Sequence, residues 1–133
     1  LLLSPGYRHI VAAVIAESLA IMKMAGIRPA LLRGVPVGIM PTVLRLPTPL
    51  VRVVTRAQLK VDPEARSSMW VDLTRGRLTE VEHLNGEIVR LARRLGTTAP
   101  LNERIVRLVH DAEQAANGSP GLDAETLRAA LDI

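Results

Sequence analysis

The chain has 133 residues, enough for one domain with a genuine core, and its 48% hydrophobic and 23% charged content is globular rather than disordered. It has no Cys, so disulfides, thiolate metal ligands and thiol nucleophiles are excluded, and a reducing, cytoplasmic setting is the expectation. The net charge of +4 comes from Arg scattered among acids, and one Trp, one Tyr and no Phe leave little for base stacking; a nucleic-acid binder is not expected and the core must be aliphatic.

Ser4-Pro5 reads as N-cap and first helical residue, since proline has no N–H to waste there, and Gly26 reads as the residue that closes the helix. Between them the pattern is apolar nearly all round, which predicts a central buried helix. The apolar run over residues 10–27 is broken by Glu17 and Lys23 and falls short of the ~20 residues of a membrane span. It also lacks the basic start and cleavage site of a signal peptide, so no membrane association is expected. The chain opens on LLLSPGYRH without an initiator Met, as a fragment of a longer protein would.

Pro29, Pro36, Pro41, Pro47 and Pro49, with Gly34 and Gly38, exclude a long regular element between them. An irregular crossing segment is expected there, with a short helix near residues 42–45. Thr48 and Pro49 then start a helix reaching Leu59; its Val-rich stretch would suit a strand, but no partner strand is evident. Asp62-Pro63 again reads as cap and first residue, opening a helix to about Arg75 that Gly76 ends.

Thr79 and Glu82 stand in capping-box register, cap and third helical residue. Val81, Leu84, Ile88, Leu91 and Leu95 form one apolar stripe, and Gly96 closes that helix. Leu101, Ile105, Leu108, Ala112 and Ala115 repeat the spacing in a helix from near Pro100. A last short helix over residues 123–131 follows NGSPG. The reading is all-α, a single domain over residues 1–133.

Four positions invite a chemical reading. Ser67 and Ser68 lie inside a predicted helix, where a hydroxyl either bonds back to a carbonyl one turn earlier or faces a cleft and donates to a carboxylate. Glu80 follows the Thr79 cap; it either complements the helix dipole or points into a pocket while Glu82 completes the cap. Gly86 interrupts a good helix, for close packing or for ligand clearance, with Asn85 beside it. His9, His83 and His110 have no metal-ligand spacing, and the glycines fall singly, so neither a metal site nor a dinucleotide loop is expected within this chain.

The stretch ARSSMWVDLTRGRLTEVEHLNGEIVRLARRLGTTAPLN, residues 65–102, resembles the C-terminal signature of ketopantoate reductases (2-dehydropantoate 2-reductases). The matching positions are Ser68-Met69 with Asp72, Thr79-Glu80-Val81-Glu82, Asn85-Gly86, Gly96, and Pro100 with Asn102. The preceding helix, with Glu17 and its AGI ending, is similar to the family's long helix. The resemblance implies an all-α helical bundle like the C-terminal domain of 6-phosphogluconate dehydrogenase, closing over an N-terminal Rossmann domain that this chain does not contain.

It further implies a cytoplasmic enzyme that reduces ketopantoate, a small 2-oxo acid, to pantoate on the route to coenzyme A. NADPH would be bound mainly by the missing domain, with none held by this chain alone. Ser68 matches the serine that binds the substrate carboxylate, with Ser67 and Arg66 in the adjoining contact stretch. Glu80 matches the active-site glutamate at the junction of cofactor and substrate, and so serves both as catalytic and as cofactor-binding residue. The family's proton-donating lysine and substrate-binding asparagines lie on a helix ahead of Leu1, and neither Lys23 nor Lys60 occupies that motif. The isolated chain is therefore expected to be inactive, and its exposed apolar face to favour a homo-oligomer such as a dimer. The alternatives are a stand-alone helical interaction module, or a relative acting on another 2-oxo acid.

Overall fold

The structure, a computed structural model, describes residues 4–29, 31–32, 35–58, 68–115 and 117–133. They form two compact units, Leu1–Ala65 and Arg66–Ile133. Helix dominates both, as the sequence predicts. A two-residue ladder, β1 (Leu31–Leu32) with β2 (Val35–Pro36), is the addition. It is antiparallel, pairing Leu31 with Pro36, and Pro36 is tolerated because a two-stranded ladder consists only of edges.

In the first unit α1 spans Pro5–Met24. Ser4 is its N-cap in extended conformation, but the Ser4 side chain makes no capping bond; its carbonyl accepts the Arg8 amide at 3.1 Å. Gly26 at φ +70° turns the chain out, so that the Ile27 amide reaches the Met22 carbonyl at 2.9 Å. A 3-10 turn (Val37–Ile39) leads into α2 (Met40–Arg45), the short helix expected near residues 42–45, begun two residues earlier. Helix α3 runs Thr48–Gln58, and its expected last residue, Leu59, lies outside the described residues.

Helix α1 is not the enclosed helix its composition predicts. Arg8, Ile10, Ala12 and Ile21 are buried, while Val11 and Met24 are 38% and 60% exposed. Its chief partner within the unit is α2, six residues against twenty. At 1.5 Å per residue that is roughly 9 Å of helix against roughly 30 Å, too little to cover it.

The junction is held by a buried cation. The Arg8 side chain is 1% exposed; its Nε donates to the Leu44 carbonyl at 3.1 Å, and its Nη2 to the Leu46 carbonyl at 3.3 Å and Thr48 Oγ1 at 3.1 Å. The last carbonyls of a helix have no partner inside it and carry the negative end of its dipole, so a guanidinium suits both needs. Ile10, Ala12, Leu44 and Val51 supply the apolar packing of this unit.

In the second unit α4 (Ser68–Thr74) ends at Gly76 as expected; the Asp62-Pro63 start lies outside the described residues. A π-helical turn (Glu82–Gly86) runs into α5 (Glu87–Arg94), and α6 (Pro100–Ala115) and α7 (Ala124–Leu131) follow. The pairs Arg93–Glu103, Glu82–His110 and Thr79–Glu113 run in opposite senses along residues 79–94 and along α6, which makes the π turn with α5 and helix α6 an antiparallel hairpin. Asn102 is fully buried and its Oδ1 accepts from Asn85 Nδ2 at 2.9 Å.

The apolar stripe of α5 is displaced from its expected register. Val81 is buried, but the positions that follow it inward are Gly86, Val89 and Ala92, while Leu84 and Leu95 are 54% and 37% exposed. A π turn takes one residue more than an α turn, so every position after it steps on by one. The stripe predicted at 84, 88 and 91 becomes 85, 89 and 92, with the polar Asn85 turned to Asn102.

Helix α7 is capped by Asp123, whose Oδ1 accepts the Thr126 amide at 2.7 Å. Arg104 of α6 donates to the Leu131 carbonyl at its other end and pairs with Asp132 at 3.3 Å. Leu131 itself is fully buried.

Replacing Arg8 with Met leaves the Leu44 and Leu46 carbonyls buried without this donor. The expected loss is about 3 kcal/mol, read as a lower urea midpoint at unchanged slope. The Asp123 carboxyl is held below its ordinary range by the Thr126 backbone and then side-chain hydrogen bonds. A depressed folded-state value gives stability that is present above the unfolded value and lost as pH falls through the folded one. Helicity of α7 should therefore drop on acidification, and Asp123→Ala should remove that step from a circular-dichroism titration.

Candidate functional site

The helix that carries Glu80 begins at Val81, after an exposed Leu78, a half-buried Thr79 and an exposed Glu80. The Glu80 carbonyl accepts the amides of His83 and Leu84 at 3.0 and 3.1 Å, and Thr79 Oγ1 accepts the Val81 amide at 3.3 Å. In a closed capping box the Glu82 carboxylate would return to the Thr79 amide. Here that amide donates to Glu113 Oε1 of α6 at 2.7 Å, so the box is closed from another helix.

Glu82 lies along its own helix instead. Its Oε2 meets Arg90 Nη1 at 2.7 Å and its Oε1 meets His110 Nε2 at 3.2 Å. Arg90 also donates to the Glu82 carbonyl at 2.6 Å and to Glu87 Oε1 at 2.9 Å. The carboxylate passes over Gly86: a Cβ there would stand 2.5 Å from Glu82 Oε2 and 3.1 Å from its Cδ. A side chain at this position would have to displace the chain's own glutamate, and among the described residues no neighbouring backbone stands in its way.

This network lines a cleft of about 410 Å³ between the π turn with α5 and helix α6. Its walls mix Arg90, Arg93, Arg107 and His110 with Glu82, Glu103 and Asp111. Arg93 pairs with Glu103 at 2.9 Å, and Glu82 first, then Glu87, hold the Arg90 guanidinium above its ordinary value, so it stays cationic.

The residues singled out in the sequence fall elsewhere. Ser68 is the first described residue of α4, and Arg66, Ser67 and the Ser68 side chain lie outside the described residues. Glu80 does not line the cleft. Its side chain is exposed and makes no hydrogen bond or ion pair among the described residues, so it takes no part in the cap. The Glu82–Gly86–Arg90 arrangement had a legible trace, since acid, glycine and base recur at four-residue steps on one face. Nothing in the sequence marks Glu113, whose partner is 34 positions away. Among the described residues no group of His, Asp and Glu could hold a metal ion, and no helix is long and apolar enough to cross a membrane.

The family described as "Ketopantoate reductase PanE/ApbA C terminal" matches residues 1–113. The chain belongs to this family. A 2-dehydropantoate 2-reductase of Archaeoglobus fulgidus is 40% identical to it over 58 residues, which cover 44% of this chain and 20% of that protein. The chain thus spans a minor share of that relative's length. No solved structure matches. The match to this reductase family ends at Glu113, the residue that closes the cap before Glu80.

Gly86→Ala sets the helical preference of alanine against displacement of Glu82. In a Glu82→Ala background only the first effect remains, and the substitution should stabilise by up to about 1 kcal/mol. In the parent chain the gain should be smaller or reversed. Denaturant midpoints of the four proteins measure this coupling.

Proposed function

We propose that this chain is the substrate-side C-terminal domain of an NADPH-dependent reductase that converts ketopantoate to pantoate, and that it is inactive without an N-terminal Rossmann domain. The observation that carries the reading is the family match over residues 1–113. The exposed, uncommitted carboxylate of Glu80 supports it, because a side chain tied into the cap would be unable to serve a ligand.

In this reading Ser68, with Ser67 and Arg66 beside it, donates to the carboxylate of the 2-oxo acid; a guanidinium and hydroxyls suit that anion. Glu80 accepts from a ribose or substrate hydroxyl, and an exposed carboxylate at a helix start fits either partner. The nicotinamide supplies the hydride when bound, while these side chains fix the substrate against it. In this reading the proton that completes the alcohol is supplied by the family's lysine, which neither Lys23 nor Lys60 matches. The same reading makes the enzyme a cytoplasmic homo-oligomer; exposed apolar side chains such as Met24, Leu31 and Val53 support self-association.

The test is NADPH oxidation with ketopantoate by the full reading frame. Glu80→Ala should lower kcat/KM about a hundredfold, the lower end for a well-placed group at the reacting centre. Ser68→Ala should act mainly on the KM for the 2-oxo acid, by about tenfold, as expected for one hydrogen bond to a charged group. A full-length protein that oxidises NADPH with no 2-oxo acid overturns the proposal.

A further inference from the structure

The capping box that sequence assigns to Thr79 and Glu82 is closed in the structure by Glu113, and this exchange ties the start of the Glu80 helix to α6. The Thr79 amide has no acceptor within its own helix, because Glu82 is engaged by Arg90 at 2.7 Å and by His110 at 3.2 Å, and Gly86 keeps the path of that carboxylate open. Glu113 Oε1 takes the amide at 2.7 Å in a half-buried, charge-assisted bond. It reaches across from a position three residues beyond His110 on the same helix, so α6 presents one side chain to each of the two glutamate-bearing turns. Thr79 Oγ1 in turn holds the Val81 amide at 3.3 Å. Glu80 therefore sits between two backbone positions, each fixed by a bond that its own side chain does not make.

We propose that Glu113 is a positioning residue for Glu80, acting through the Thr79 amide. It touches no substrate. It sets where the Glu80 backbone begins its helix, and hence where the Glu80 carboxylate is delivered. The proposal rests on the reading of Glu80 given above and adds to it a residue on a different helix.

The experiment uses the full-length enzyme and compares Glu113→Gln, Glu113→Asp and Glu113→Ala. Gln keeps an oxygen acceptor at the same reach, whereas Asp withdraws it by one methylene. The expected result is that Gln retains most of the activity while Asp and Ala lose about a hundredfold, the scale of a displacement of about 1 Å at a reacting centre, with kcat falling further than KM rises. Hydrogen exchange of the Thr79 amide should quicken in Asp and Ala and stay slow in Gln. In a Glu80→Ala background Glu113→Ala should add little, because the group it positions is already gone.

Equal rates for Asp and Gln overturn the proposal, as does an undiminished effect of Glu113→Ala in the Glu80→Ala background, which marks a purely structural role. If the Ala variant does not fold, the Asp–Gln pair decides. If Glu80→Ala itself matches the parent, the reductase reading of Glu80 fails and the proposal falls with it; Thr79 exchange then still registers the Glu113 bond, which separates that failure from loss of the contact.

Discussion

In the Arg66–Ile133 unit the Thr79 amide, just ahead of the helix that begins at Val81, is satisfied from a different helix. That one bond fixes much else. Glu113 supplies it while Glu82 joins Arg90 and His110, and because Glu82 lies along its helix, a side chain at position 86 would have to displace that carboxylate. The mixed-charge cleft between α5 and α6 is the visible result, with the Glu82 carboxylate on its wall.

The Leu1–Ala65 unit solves the opposite problem with the opposite charge. There the groups needing partners are carbonyls at the end of α2, and the side chain sent to meet them is the guanidinium of Arg8. Anion to amides and cation to carbonyls is the arrangement the helix dipole favours. Both contacts are non-local, so each also joins elements that sequence alone leaves independent. With few aromatics and many small residues in the apolar packing, such polar ties carry orientation that bulky side chains would otherwise enforce.

The sequence revealed the punctuation best. Pro5, Gly26, Gly76, Gly96, Pro100 and Asp123 stand at the helix ends their backbone chemistry predicts, because capping is a local matter of dihedral angles and missing N–H groups. The short helix near residues 42–45 was legible for the same reason. The ladder at Leu31–Pro36 was not, since two residues per strand carry no alternation to detect. Burial was read less well: α1 is apolar all round yet only partly covered, because coverage depends on the length of its partner and not on its own pattern. At the candidate site, the sequence left Glu80 open between the helix dipole and a pocket, and it gave the Thr79 amide to Glu82, whereas Glu113 takes it. Register alone makes Glu82 and Thr79 look reciprocal; only the approach of α6 brings Glu113 nearer.

The π turn at Glu82–Gly86 acts as a phase step. One surplus residue rotates everything downstream by about 100° relative to an unbroken helix. The upstream end can then aim Val81 inward and leave Glu80 outward, while the downstream end independently turns Val89 and Ala92 to the hairpin. Excising any single residue from that turn would lock the two ends into one rotational frame, so that either the carboxylate or the packing would face the wrong way. The irregularity is what lets the two ends of one rod keep separate orientations.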